Sequence, residues 1–182
     1  MPLSEESFRA LLDPNGVVRD PSALPALAPE ARFLVFSQAA GARFDAARWR
    51  DQAARFFATK LGFTHDKRPS PEPPLVDAAR VVIAGERASG TRLVIGRPRE
   101  PGDLACAEDA ELRAGGGGLG ELARRCGHVY VVEASGPDDR ASLSCAAILA
   151  SVALGPIVSP DGRIFGVRTA RLELEREASG YR

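Results

Sequence analysis

The sequence predicts an α+β (mixed α/β) fold, one domain built on a mixed or antiparallel sheet of about four to six strands. Three observations carry this expectation. Short β-branched or aromatic runs lie at 32–37, 80–84, 92–96 and 128–133, stretches of helical periodicity separate them, and 182 residues is the length of one domain. Their succession of strand, helix, two-stranded hairpin, helix and strand is β-α-β-β-α-β, the ferredoxin-like order of a split unit. An added helix and a C-terminal hairpin follow. Residues 1–30 read as an N-terminal helix and extended segment, and 31–182 as the α/β core.

In chain order, Ser4-Glu5-Glu6-Ser7 before Phe8, Leu11 and Leu12 reads as a capped helix stopped at Asp13-Pro14-Asn15-Gly16. Arg32 to Ser37 reads as a buried strand. Asp45 caps a helix expected to run to about Leu61, with Trp49, Ala53, Phe56, Phe57 and Leu61 on one face. Pro69, Pro71, Pro73 and Pro74 mark a stiff surface connector. Arg80–Ala84 and Arg92–Gly96 flank a polar turn and form a hairpin. Asp103 is expected to cap a helix to about Arg113. Gly115 to Gly118 break it, and a short helix follows through Leu119, Leu122 and Cys126. The nearly continuous run His128–Glu133 is a buried strand. Residues from about Arg140 to Leu154 form a helix that is apolar on most sides. Ser159-Pro160-Asp161-Gly162 turns the chain between Ile157-Val158 and Arg163-Ile164-Phe165. Ala170, Leu172 and Leu174 alternate with Arg171, Glu173 and Glu175, which reads as a half-exposed final strand.

Hydrophobic residues make up 45% of the chain and charged residues 26%, an ordinary globular balance. Lys+Arg and Asp+Glu both count 24, so no net field draws the chain to nucleic acid or an anionic membrane. Lys60 and Lys67 are the only lysines, a bias that a GC-rich bacterial genome explains. Cys106, Cys126 and Cys145 make no CxxC pair, and three cysteines do not form a disulfide framework. With no secretory leader and no membrane-spanning run in view, cytoplasm is the expected compartment.

Each chemical motif meets a plainer explanation. Gly115, Gly117 and Gly120 satisfy G-x-G-x-x-G, but the preceding residues 108–114 are charged and helical, whereas a dinucleotide turn needs a strand there. The best candidate site follows the 128–133 strand. Glu133, Asp138 and Asp139 are its candidate catalytic carboxylates, because ligands of α/β sheets collect at strand ends. Ser135, Arg97 and Arg99 are its candidate ligand-binding groups. One aspartate also suits the cap of the following helix. Cys126-Gly127-His128 looks like half a metal site, but zinc needs three or four ligands. No metal and no cofactor are expected.

The functional expectation is a non-catalytic accessory, adaptor or regulatory protein that binds a protein partner or itself. The terminal strand and the proline-rich loop supply its surfaces. The alternative is a small enzyme or ligand-binding domain centred on Glu133 and Asp138. Nucleic-acid binding comes third, since the middle strand at 92–96 offers no aromatic for base stacking.

Overall fold

The structure, a computed structural model, describes residues 31–64 and 77–176, with the isolated positions Ala10 and Pro14. The N-terminal helix expected at 4–12 and the proline-rich connector fall outside the described residues, apart from those isolated positions and Thr64. The described elements are β1 (Arg32–Ser37), α1 (Ala46–Phe57), β2 (Thr59–Phe63), β3 (Asp77–Gly85), β4 (Ser89–Pro98), α2 (Pro101–Arg113), α3 (Leu119–Arg125), β5 (His128–Glu133), α4 (Arg140–Ala153), β6 (Ile157–Val158), β7 (Ile164–Phe165) and α5 (Val167–Arg176).

The seven strands form one sheet in the order β2-β3-β4-β5-β1-β6-β7, and every neighbouring pair is antiparallel. The fold is therefore α+β. The split-unit succession β1-α1-β3-β4-α2-β5 is present along the chain, with β2 and α3 interposed. In space β5 lies between β4 and β1.

Helices cover both faces, because the central strands carry apolar residues on both sides. On one face Phe33, Val35, Val81, Ile83, Val94 and Val132 pack under α1, α4 and α5. On the other, Leu34, Phe36, Leu93, Ile95, Val129 and Val131 pack under α2 and α3. Strands buried on both faces read as continuous apolar runs, which is what 33–36 and 129–132 are. α4 lies deepest, with eleven of its fourteen residues buried, in keeping with its small side chains.

Two elements differ from expectation. α1 ends at Phe57 rather than near Leu61, because Ala58 takes a left-handed conformation at φ 49° and its N–H closes the helix on the Ala53 carbonyl. The chain then turns into β2, so Leu61 is buried on an edge strand, paired with Ile83. The segment read as a final strand is instead the helix α5, which buries Ala170 and Leu174, four residues apart. Ala170, Leu172 and Leu174 satisfy period two, but only the spacing of 170 and 174 meets the core. Leu172 is 45% exposed. The expected cap of α2 also shifts. Asp103 sits in its first turn and reaches back to accept the Glu100 N–H at 2.8 Å.

An aromatic cluster locks the loop before α1 onto the sheet. Trp49 meets Phe44 edge-on at 4.8 Å and Tyr130 at 5.4 Å between ring centroids. The Tyr130 hydroxyl donates to the Arg43 carbonyl at 2.7 Å, and burial, aided by Asp77 and Asp45, holds that phenol in its neutral form. Gly96 permits the approach, since a Cβ there would collide with the Ala42 carbonyl oxygen.

Candidate functional site

The strand end at Glu133 leads through Ser135 and Gly136 to Asp139, which caps α4 by accepting the Ser142 N–H at 3.0 Å. The Asp139 side chain is only 2% exposed and receives Arg92 in a two-pronged pair, Nη2 to Oδ1 at 2.7 Å and Nε to Oδ2 at 3.0 Å. The Ser135 N–H and hydroxyl add bonds to Oδ2 at 2.9 and 2.8 Å. Arg92 Nε also donates to the Ser142 hydroxyl at 2.7 Å, and that hydroxyl donates to the Glu133 carbonyl at 2.6 Å. Burial alone would push the Asp139 carboxyl up. The Arg92 guanidinium and the Ser135 and Ser142 N–H groups outweigh it and hold the carboxyl well below the usual range. Asp139 and Ser135 thus join β4, β5 and α4, and both Asp139 oxygens are committed to that joint.

Glu133 accepts the Leu93 N–H at 3.2 Å, extending the β4–β5 ladder by one bond. Asp138 points elsewhere. It lines a cleft of about 300 Å³ with Arg140, Leu143, Arg163, Glu173 and Arg176. Arg97 and Arg99 lie at the opposite end of the sheet, because Arg97 is level with Val129 while Leu93 is level with Glu133. Arg97 grips Asp103 at 2.7 and 2.9 Å, and Arg99 donates to the Ala123 and Arg124 carbonyls at the end of α3. The fold therefore unites Glu133, Ser135 and Asp139, sets Asp138 on a separate cleft, and separates all four from the two arginines.

The glycine motif is equally committed. α2 precedes it, and the Gly120 N–H donates to the Glu111 carboxylate at 2.8 Å, where a pyrophosphate would have to sit. Gly115 to Gly118 all adopt positive φ, a helix-to-helix turn. Cys126 is buried and donates to the Leu122 carbonyl, and burial pushes its thiol up. No group of three or more His, Cys, Asp or Glu suited to a metal occurs among the described residues. No described helix is long and apolar enough to cross a membrane.

An apolar groove of about 450 Å³ opens where α1, α3, the end of α4 and α5 meet. Phe56, Phe57, Leu119, Leu122, Leu154 and Val167 line it, with Gln52 and Arg171 at polar positions. Phe56 is 50% and Leu154 61% exposed. The sequence carried a signal for it. Phe56 was expected on the buried face of α1 with Phe57, but adjacent residues on a helix point about 100° apart, and only Trp49, Ala53 and Phe57 of that face are buried.

No protein-family model matches this chain, and no curated protein or solved structure shows significant similarity to it.

Proposed function

We propose that this chain is a non-catalytic accessory or adaptor protein that engages a protein partner through the groove where α1, α3, the end of α4 and α5 meet. The observation that supports it is the exposure of Phe56 and Leu154 over an apolar floor. Contiguous apolar surface with a polar rim favours burial against another protein. An amphipathic partner helix suits such a groove, because apolar side chains at i, i+3 and i+4 enter while its polar face stays wet. The committed bonds of Asp139 and Arg97 are consistent with a chain that spends its buried charges on architecture. One earlier motivation changes, since a helix stands where a terminal strand was expected. β2 provides the five-residue sheet edge instead.

The test pairs light scattering after size exclusion with pull-downs, comparing wild type with a Phe56→Gln, Leu154→Asn double variant. Asn tolerates the left-handed backbone at position 154. The expected outcome is an assembly or a captured protein that the double variant loses. A monomer at every concentration whose captures match those of the double variant overturns the reading.

A second reading rests on the Asp138 cleft, whose lining includes Arg140, Arg163 and Arg176 beside the carboxylates of Asp138 and Glu173. Such a cleft suits a ligand bearing an anionic group. Inorganic phosphate should then raise the melting temperature of wild type and leave an Arg176→Gln variant unmoved. Equal response in both proteins excludes this cleft as the site.

A further inference from the structure

A smaller cavity of about 270 Å³ lies on the opposite face, between α2 and the β6–β7 turn. Cys106, Asp109 and Arg113 of α2 form one wall, since i, i+3 and i+7 share a helix face. Leu34 and Val158, paired across β1 and β6, with Pro160 supply apolar surface. Arg32 stands beside them at the start of β1.

The charges decide what suits this cavity. Arg113 is paired with Asp109. Asp161 is claimed by the Ser159 hydroxyl and by Arg163 Nε at 2.7 Å. Glu133, level with Arg32 on β5, turns Oε2 to the Leu93 N–H and makes no ion pair with Arg32. The guanidinium of half-buried Arg32 makes no hydrogen bond or ion pair with any described residue. Of the charges in the lining, Asp109 and Arg113 pair with each other, Asp161 pairs with Arg163, which stands outside the lining and is shared with Glu173, and the Arg32 guanidinium has no partner among the described residues.

We propose that this cavity binds a small monocarboxylate with an apolar tail, and that Arg32 is its counter-ion. One guanidinium without a partner among the described residues matches one carboxylate in charge and in planar geometry. A dianion would meet Asp109 and Asp161 with only one uncommitted positive charge to hold it. The volume falls just below the roughly 300 Å³ at which drug-sized sites begin, so the tail is short. Leu34, Val158 and Pro160 receive it.

Cys106 makes the site measurable, because it is exposed while Cys126 and Cys145 are buried. Iodoacetate is itself a small carboxylate, and iodoacetamide is its neutral analogue. With either reagent the thiolate sulfur attacks the methylene carbon, the S–C bond forms and iodide leaves with the electron pair of the C–I bond. The thiol proton has gone to the buffer beforehand. The thiolate fraction cancels in the ratio of the two rates, which leaves the effect of the reagent's charge.

Relative to the urea-unfolded chain, the folded protein should show an iodoacetate-to-iodoacetamide ratio about tenfold higher, the low end of electrostatic focusing in a cleft. Arg32→Gln should return the ratio to the unfolded value, and Arg32→Lys should keep most of it. Butyrate should slow iodoacetamide at Cys106 in wild type and not in Arg32→Gln, and should do so at lower concentration than inorganic phosphate. Unreactive Cys126 and Cys145 certify that each variant is folded. A ratio indifferent to Arg32→Gln, or butyrate protection absent or equal in both proteins, overturns the site. Protection by phosphate at equal or lower concentration overturns the monocarboxylate class.

Discussion

At the scale of single residues, Asp139 shows how a reactive-looking side chain becomes structural. It caps a helix, neutralises a largely buried guanidinium and fixes the loop through Ser135. Removing one partner of a buried pair leaves the other charge uncompensated, so Asp139→Ala should lose about 3–5 kcal/mol in urea unfolding at pH 7. Its pH dependence follows from the lowered carboxyl. The unfolded chain, with an aspartate near 3.9, takes up this proton before the folded chain does, so stability rises with pH. The Asp139 contribution is complete near neutrality and fades as the pH falls through and below that value. The stability gap between wild type and Asp139→Ala should therefore narrow steadily in acid, and a gap unchanged at pH 3 contradicts this account. The cysteines give a second prediction. Burial pushes the Cys145 thiol up to about 12, and Cys126 is raised for the same reason. Ellman's reagent should titrate one thiol in the native protein and three in denaturant, and more than one rapid native thiol disproves this burial pattern.

Elements were legible where local chemistry and tertiary packing agree. The β3–β4 hairpin, the buried strand β5, and α4 with its aspartate cap could all be read, because their apolar runs and turn residues point the same way. β2 could not, since Thr59-Lys60-Leu61 continues the spacing of α1 and nothing at Ala58 announces a left-handed turn. That turn carries a prediction of its own. A left-handed alanine is strained by roughly 1–2 kcal/mol, partly offset by the greater unfolded freedom of glycine. Ala58→Gly should therefore stabilise by about 0.5–1 kcal/mol, a rise of a few degrees in Tm for a chain of this size. A lowered Tm shows that the left-handed geometry at 58 is not what ends α1. α5 was hidden for another reason. Its alternating Leu and Glu satisfy period two and helical spacing alike, and only the surface it meets decides. The candidate site was half legible. Proximity in sequence placed Glu133, Ser135 and Asp139 together as the fold does, but it also added Asp138, which turns to a separate cleft, and Arg97 and Arg99, which antiparallel β4 carries to the opposite end of the sheet.

At the scale of the whole molecule, the two layers of helices share a sheet in which β1, the first described strand, lies beside the central strand β5. Among the described residues β1 pairs only with β5 and β6. Phe33-Leu34-Val35-Phe36 therefore has no hydrogen-bonding neighbour until its partners exist. On the ribosome roughly 90 residues separate the emergence of β1 from that of β5, a wait of about 5–20 s at ordinary elongation rates. For that interval a short apolar segment with high strand propensity is open to any sticky neighbour, including the same segment on an adjacent nascent chain. Yield on expression should consequently respond to holding chaperones and to translation speed, even though the finished protein encloses this segment completely.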